Sequence, residues 1–395
     1  MAVSDSIEKR RGYDGPAIFE RGFRPFFFLA GLWALIPLTL WVCIYLGAIT
    51  PLTDINAQAW HAHEMIFGYA GAALAGFALT AIPNWTGRLP VRGNRLFMLV
   101  ALWLLARSLS VGALFVDVST YALAFESLFF IVFSALVFRE ILVGKNWRNL
   151  PVAIIFSLFG LAAILSSLNN LALIGSDLNF DRMAIATLVL LISLIGGRIV
   201  PSFTQNWLKQ QGASTMPTAF NKNDGLILLV SAITLISWLT LAYDHALVTA
   251  ATSLTALLHI WRLSRWCGLA TFKEPLVIML HVAYLWIPTG FAVAALASLD
   301  MVSESTVVHA WTTGAIASMT LAVMMRASLG HSGRALKADK ATVAIFSLIT
   351  LAAITRLIAA TLASTDLITA SAVLWIAGFA VYVIAYTPIF WTTKG

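Results

Sequence analysis

Twelve apolar runs, most of about 18 residues or longer, divide this chain and leave it little choice of architecture. They cover roughly 26–47, 62–83, 95–116, 119–138, 151–174, 182–201, 225–243, 246–261, 275–298, 305–325, 341–363 and 367–390. In hydrocarbon every backbone amide must find its partner inside the protein, and continuous runs of this length do so as helices. A composition of 60% hydrophobic and 11% charged residues agrees. The expected fold class is an all-α polytopic membrane protein with twelve transmembrane helices. It forms a single integral membrane domain over 1–395, with a polar arm at 1–25 and the bundle at 26–390. No soluble domain is expected; the longest connections are basic segments at roughly 202–224 and 326–340.

Charge predicts how the bundle sits in its bilayer. The arm carries Lys9, Arg10, Arg11, Arg21 and Arg24, and alternate loops on the same side bring the total to 22 of the 25 Lys and Arg, Lys394 included. The opposite loops hold Arg182 among acids such as Asp54, Asp177 and Glu304. By the positive-inside rule both termini face the cytoplasm. The net charge of +7 then reflects topology, and no nucleic-acid partner is implied. No cleavable signal peptide is expected, because the first run is too long for a signal core and follows a basic arm. Cys43 lies within a run and Cys267 in a loop, so neither a disulfide nor a Cys-rich metal motif is expected.

The chain also resembles itself. Shifts of 118 and 246 residues superpose His63 on Asp181 and His309, Gly68 on Ala186 and Gly314, and Thr80 on Arg198 and Arg326. Three successive four-helix units are the implied repeats, at 23–147, 148–271 and 272–395. Internal repeats are common in membrane proteins and often place a site where they meet.

Histidine is costly in hydrocarbon and marks a candidate site by default. His61 and His63 lie near the outer end of the second run and His309 near that of the tenth. His259 and His281 lie near inner ends, His331 at the cytoplasmic end of the tenth run, and His245 in an outer turn. Imidazole is a common ligand for copper, zinc and iron, and two facing helices can supply both axial positions of a haem. His61 and His63 point about 200° apart on a regular helix, so one binds and the other faces elsewhere. Glu64 is a ligand, a proton relay or an interfacial acid. Small residues such as Gly68, Gly71 and Gly76 suit either a flat macrocycle or close helix packing. Arg198 and Arg326 either pair with cofactor carboxylates or anchor at headgroups, whereas Arg107 and Arg356 sit deeper and need partners. Met319, Met324 and Met325 are read as apolar filler rather than a copper path, and Pro37, Pro83 and Pro288 as kinks.

At these residues the chain resembles the NnrS family. The resemblance rests on Gly22-Phe23-Arg24-Pro25-Phe26-Phe27, on His61-Ala62-His63-Glu64-Met65-Ile66-Phe67-Gly68 and on Gly196-Gly197-Arg198-Ile199-Val200-Pro201. It continues in His281-Val282-Ala283-Tyr284, His309-Ala310-Trp311 and Arg326-Ala327-Ser328-Leu329-Gly330-His331. It implies a haem- and copper-containing protein of the bacterial cytoplasmic membrane, linked to nitric oxide metabolism and resistance to nitrosative stress during denitrification. It makes His61, His63, His281, His309 and His331 ligand candidates without saying which metal each holds. A looser, fold-level similarity is to haem–copper oxidases and nitric oxide reductases, which hold a low-spin haem between their second and tenth helices. Those enzymes take further metal ligands from helices six and seven. Here the sixth run has no histidine, so a binuclear centre of that type is not expected.

The reading that follows is a haem b protein acting on nitric oxide, with metal ligands among His61, His63, His309 and His281. Glu64 is the candidate proton carrier. Electrons would come from a donor the sequence does not name. The competing readings are a twelve-helix transporter for a metal or small solute and an assembly subunit of a respiratory complex.

Overall fold

The computed structural model describes residues 13–392, so Lys9, Arg10, Arg11 and Lys394 of the charge reading lie outside the described residues. Twelve helices are long and apolar enough to cross a membrane. They are α1 (Phe23–Tyr45), α2 (Ala57–Thr86), α3 (Asn94–Gly112), α4 (Ser119–Val143), α5 (Trp147–Asn170) and α6 (Phe180–Gln210). After these come α7 (Lys222–Thr240), α8 (Ala246–Ser264), α9 (Pro275–Ala297), α10 (Glu304–His331), α11 (Lys340–Leu362) and α12 (Thr365–Trp391). Among the described residues there is no strand. An even number of spans puts the start of α1 and the end of α12 on one side, the terminal face; the other is the opposite face.

Two connections are shorter than the sequence suggests. Helix α6 runs through Pro201 to Gln210, and α10 runs to His331. The expected loops at 202–224 and 326–340 therefore shrink to 211–221 and 332–339. Hydropathy falls at Gln205 and Arg326, but the helices continue because one face of each stays packed. Pro201, Thr204 and Leu208 are buried on α6, and Met325 and Ser328 on α10. Tertiary burial sustains a helix that composition alone would end.

Burial separates the helices into a centre and a surround. In the most apolar window of α2, α6 and α10, 83, 67 and 72% of residues are buried, against 61% in α9 and less elsewhere. These three helices touch one another along the middle of the molecule. The surround follows one rule in all three groups of four. The last helix of each group packs on the first of the next: α4 on α5, α8 on α9, and α12 back on α1. The first helix of each also reaches a central helix of its neighbour: α1 to α10, α5 to α2, α9 to α6.

Candidate functional site

Helices α2 and α10 share a local irregularity. Each opens as an α-helix that ends on a histidine, His63 or His309, and passes into a π-helical turn at Glu64–Ala70 or Ala310–Ile316. The two π segments stand at the same 246-residue offset as the histidines. A π turn is rare, widens the helix and recurs at functional sites. Each holds a glycine against an indole from the first helix of its group. A Cβ on Gly68 would lie 2.4 Å from Trp33 Nε1, and one on Gly314 would lie 2.6 Å from Trp286. Glycine is needed at both positions because the ring occupies the side-chain space.

Between α2, α6, α10 and α12, near the opposite face, lies a cavity of about 380 Å³. His61 and His309 both line it, within electrostatic range of each other. The His309 Nδ1 atom sits 2.7 Å from the Ser305 carbonyl oxygen. A carbonyl only accepts, so Nδ1 carries the proton and the lone pair resides on Nε2. A backbone carbonyl orienting a metal-binding imidazole is the usual supporting contact. His61 stacks on Trp41, with ring centroids 4.5 Å apart, and its buried Nδ1 has no partner. Arg356 lines the same space; among the described residues its buried Nη1 has no hydrogen-bond partner, and Nη2 reaches Ser305 Oγ at 3.5 Å. The acids on this wall are engaged: Glu304 pairs with Arg182, and Asp181 accepts from Ser166 at 2.7 Å. The cavity thus presents two imidazoles and an uncompensated guanidinium within a largely apolar lining.

His63 turns the other way. Its Nε2 lies 3.1 and 2.9 Å from the two oxygens of Glu126 and therefore donates to that carboxylate. Its Nδ1 faces Ser166 Oγ at 3.5 Å. Glu126 also pairs with Arg107, which donates to Glu64 at 2.8 Å. Glu64 accepts further bonds from Trp33 Nε1 and Ser110 Oγ, each at 2.6 Å. Glu64 is fully buried in this network and does not line the cavity. The structure so brings His61 together with His309, and places His63 with Glu64, Arg107 and Glu126 in a separate polar cluster.

The other sequence candidates lie apart from the His61–His309 pair. His259 is closed on both sides. The Ser231 hydroxyl donates to the Ile227 carbonyl, so it accepts from Nε2 at 2.9 Å, while Tyr284 Oη lies 3.0 Å from Nδ1. His281 holds Thr204 Oγ1 at 2.8 Å and turns an unpartnered Nδ1 toward Gly268. His331, Arg198 and Arg326 line a second cavity, of about 500 Å³, near the terminal face. His245 caps α8 by accepting from Leu247 N. A small apolar chamber of about 70 Å³ shares Ala70 and Ile316 with the first cavity and Phe27 and Val323 with the second. Among the described residues, no three His, Cys, Asp or Glu side chains gather closely enough to hold a metal ion.

Sequence reading passed over Glu126, although an acid within an apolar run is itself the signal of a buried partner. It also missed both π turns, for which the segments EMIFGYA and AWTTGAI offer no common pattern beyond Gly68 and Gly314. Arg356 stood out only as an intramembrane cation in need of company.

No curated protein matches the sequence. The model of one family, described as NnrS protein, matches residues 17–394. That span takes in all twelve helices, both cavities and every histidine of the chain, and this protein belongs to the NnrS family.

Proposed function

We propose that this protein binds haem b in the opposite-face cavity and uses it in the handling of nitric oxide. One observation carries the reading: imidazoles from two central helices line one cavity beside an arginine that has no anionic partner among the described residues. The donor set suits an iron porphyrin. His61 and His309 would hold the iron, and Arg356 would meet an acidic substituent of the porphyrin through charge-assisted hydrogen bonds. Trp41, Tyr69 and Trp375 supply the aromatic walls such a ligand needs.

Bound here and held by one imidazole while the other yields its place, haem iron would supply coordination chemistry toward nitric oxide, the substrate class that the family resemblance implies. The residues of the chain hold and orient. Ser305 fixes the tautomer of His309, Trp41 holds the ring of His61, and the apolar chamber beyond admits an uncharged diatomic while disfavouring ions. The Lys and Arg bias supports an orientation with both termini in the cytoplasm, and the family resemblance implies a bacterial inner membrane.

The test is the absorption spectrum of the purified protein. His309→Ala and His61→Ala abolish or shift the Soret band while the protein still reaches the membrane, and His63→Gln leaves the band in place. An unchanged spectrum in both of the first two variants refutes the site. A second reading, as a transporter, draws on the three chambers stacked along the central helices. Solute flux in vesicles from protein that carries no pigment would favour it.

A further inference from the structure

The cavity at the terminal face is unlike the one that holds the histidine pair. Its polar lining consists of Arg198, Arg326, His331 and the amides of Asn84, Asn149 and Asn206, together with the Thr80 hydroxyl. No carboxylate lines it among the described residues. Arg198 donates to Asn149 Oδ1 at 3.2 Å, and its buried Nε has no partner. Arg326 lies over the Phe203 ring at 4.1 Å and makes no ion pair among the described residues, although Glu274 lies within electrostatic range of it. The surroundings add to the charge: Arg148 lies within electrostatic range of Arg198, and Arg21 within range of His331. Deeper in, the walls become apolar at Phe27, Phe77, Ile195 and Val323.

Half-buried guanidiniums without a direct ion-pair partner are expensive, and they become favourable when an anion meets them. Arginine forks match carboxylate and phosphate, and basic pockets at the cytoplasmic ends of membrane helices recognise anionic headgroups. The volume of about 500 Å³ falls within the range of small-molecule sites. We propose that this chamber is a second ligand site, for one amphipathic anion. The carboxylate or phosphate sits between Arg198 and Arg326, and the apolar body lies against Phe27, Phe77 and Val323. The chemistry is shared by an anionic phospholipid and a free long-chain carboxylate. The site does not depend on the occupant of the histidine cavity.

Native mass spectrometry of the full-length protein in neutral detergent tests the assignment. Dioleoyl phosphatidylglycerol and oleate are added separately at stoichiometric concentration, with dioleoyl phosphatidylcholine as the zwitterionic control. The expected result is one retained anion per protein, retention of the control at least tenfold lower, and a tenfold or greater loss in Arg198→Gln/Arg326→Gln. His309→Ala retains the anion as the unmodified protein does, which separates this site from the haem proposal. Retention of phosphatidylglycerol alone assigns the source to lipid, and retention of oleate alone to a free acid; either supports the site. If the double variant gives no monodisperse peak, Arg326→Gln alone is read, with a several-fold loss expected. Equal retention of phosphatidylcholine, unchanged retention in the arginine variants, or retention of neither anion overturns the proposal.

Discussion

Arg107→Met is the sharpest probe of the cluster behind the histidine cavity. Arg107 is almost fully buried and holds two carboxylates at once, Glu64 at 2.8 Å and Glu126 in a closer pair. Removing it leaves two acids in low dielectric. Their remaining partners are Trp33 and Ser110 on one side, and His63 and Ser167 on the other. Breaking a buried ion pair by deleting one member costs about 3–5 kcal/mol. Two acids are stranded here, so the upper end of that range is expected. Arg107→Met combined with Glu64→Gln and Glu126→Gln removes the stranded charges and should recover most of the loss, because replacing a whole buried network is often close to neutral. Reversible unfolding in mixed micelles, followed by loss of helical circular dichroism, gives both values. A cost below about 1 kcal/mol for Arg107→Met, the scale of an exposed pair, would refute the buried-network account. So would a triple variant no more stable than the single one.

Other consequences are separately measurable. Gly68→Ala puts a methyl where Trp33 Nε1 would be 2.4 Å away and forces out the indole that donates to Glu64. A loss of about 1–3 kcal/mol is expected, and a neutral result in thermal unfolding would show that the π turn yields freely. Gly314→Ala should also cost stability, because its methyl would lie 2.6 Å from the Trp286 ring. Arg356→Gln should lower the haem retained per protein several-fold while leaving the His309-dependent Soret position intact; full retention would remove Arg356 from the site. Asp339 caps α11 by accepting from Thr342 N at 2.8 Å, and that backbone hydrogen bond holds its carboxyl below the usual carboxylate range. A lowered value stabilises the folded state above the ordinary carboxylate pKa, and the benefit fades as pH falls through the lowered one. Asp339→Ala should therefore cost about 1 kcal/mol at neutral pH. It should speed amide exchange at the start of α11, and the difference from the unmodified protein should vanish in strong acid. A difference that persists there would mean the cap acts without its charge.

Fold class was written in the amino-acid order because hydrocarbon admits so few backbone solutions. Runs of Leu, Ile, Val and Phe forced helices, and both the twelve-helix count and the 246-residue offset between His63 and His309 came from composition and spacing alone. The helix ends at Gln210 and His331 did not, because they depend on which faces of α6 and α10 other helices cover. The same limit governed the site. Sequence showed that His61 and His63 must face different ways, since the helical period is local. It offered no means to choose between them, because the choice lies in what surrounds each ring. Glu126 and Ser166, supplied by α4 and α5, claim His63, while the open side of α2 toward α10 leaves His61 to meet His309. Likewise Arg107 found its acids and Arg356 did not, although both are lone arginines in apolar runs. Spacing along one chain fixes which residues share a helix face; only the packing of many helices decides which faces meet and which charges are left to bind something else.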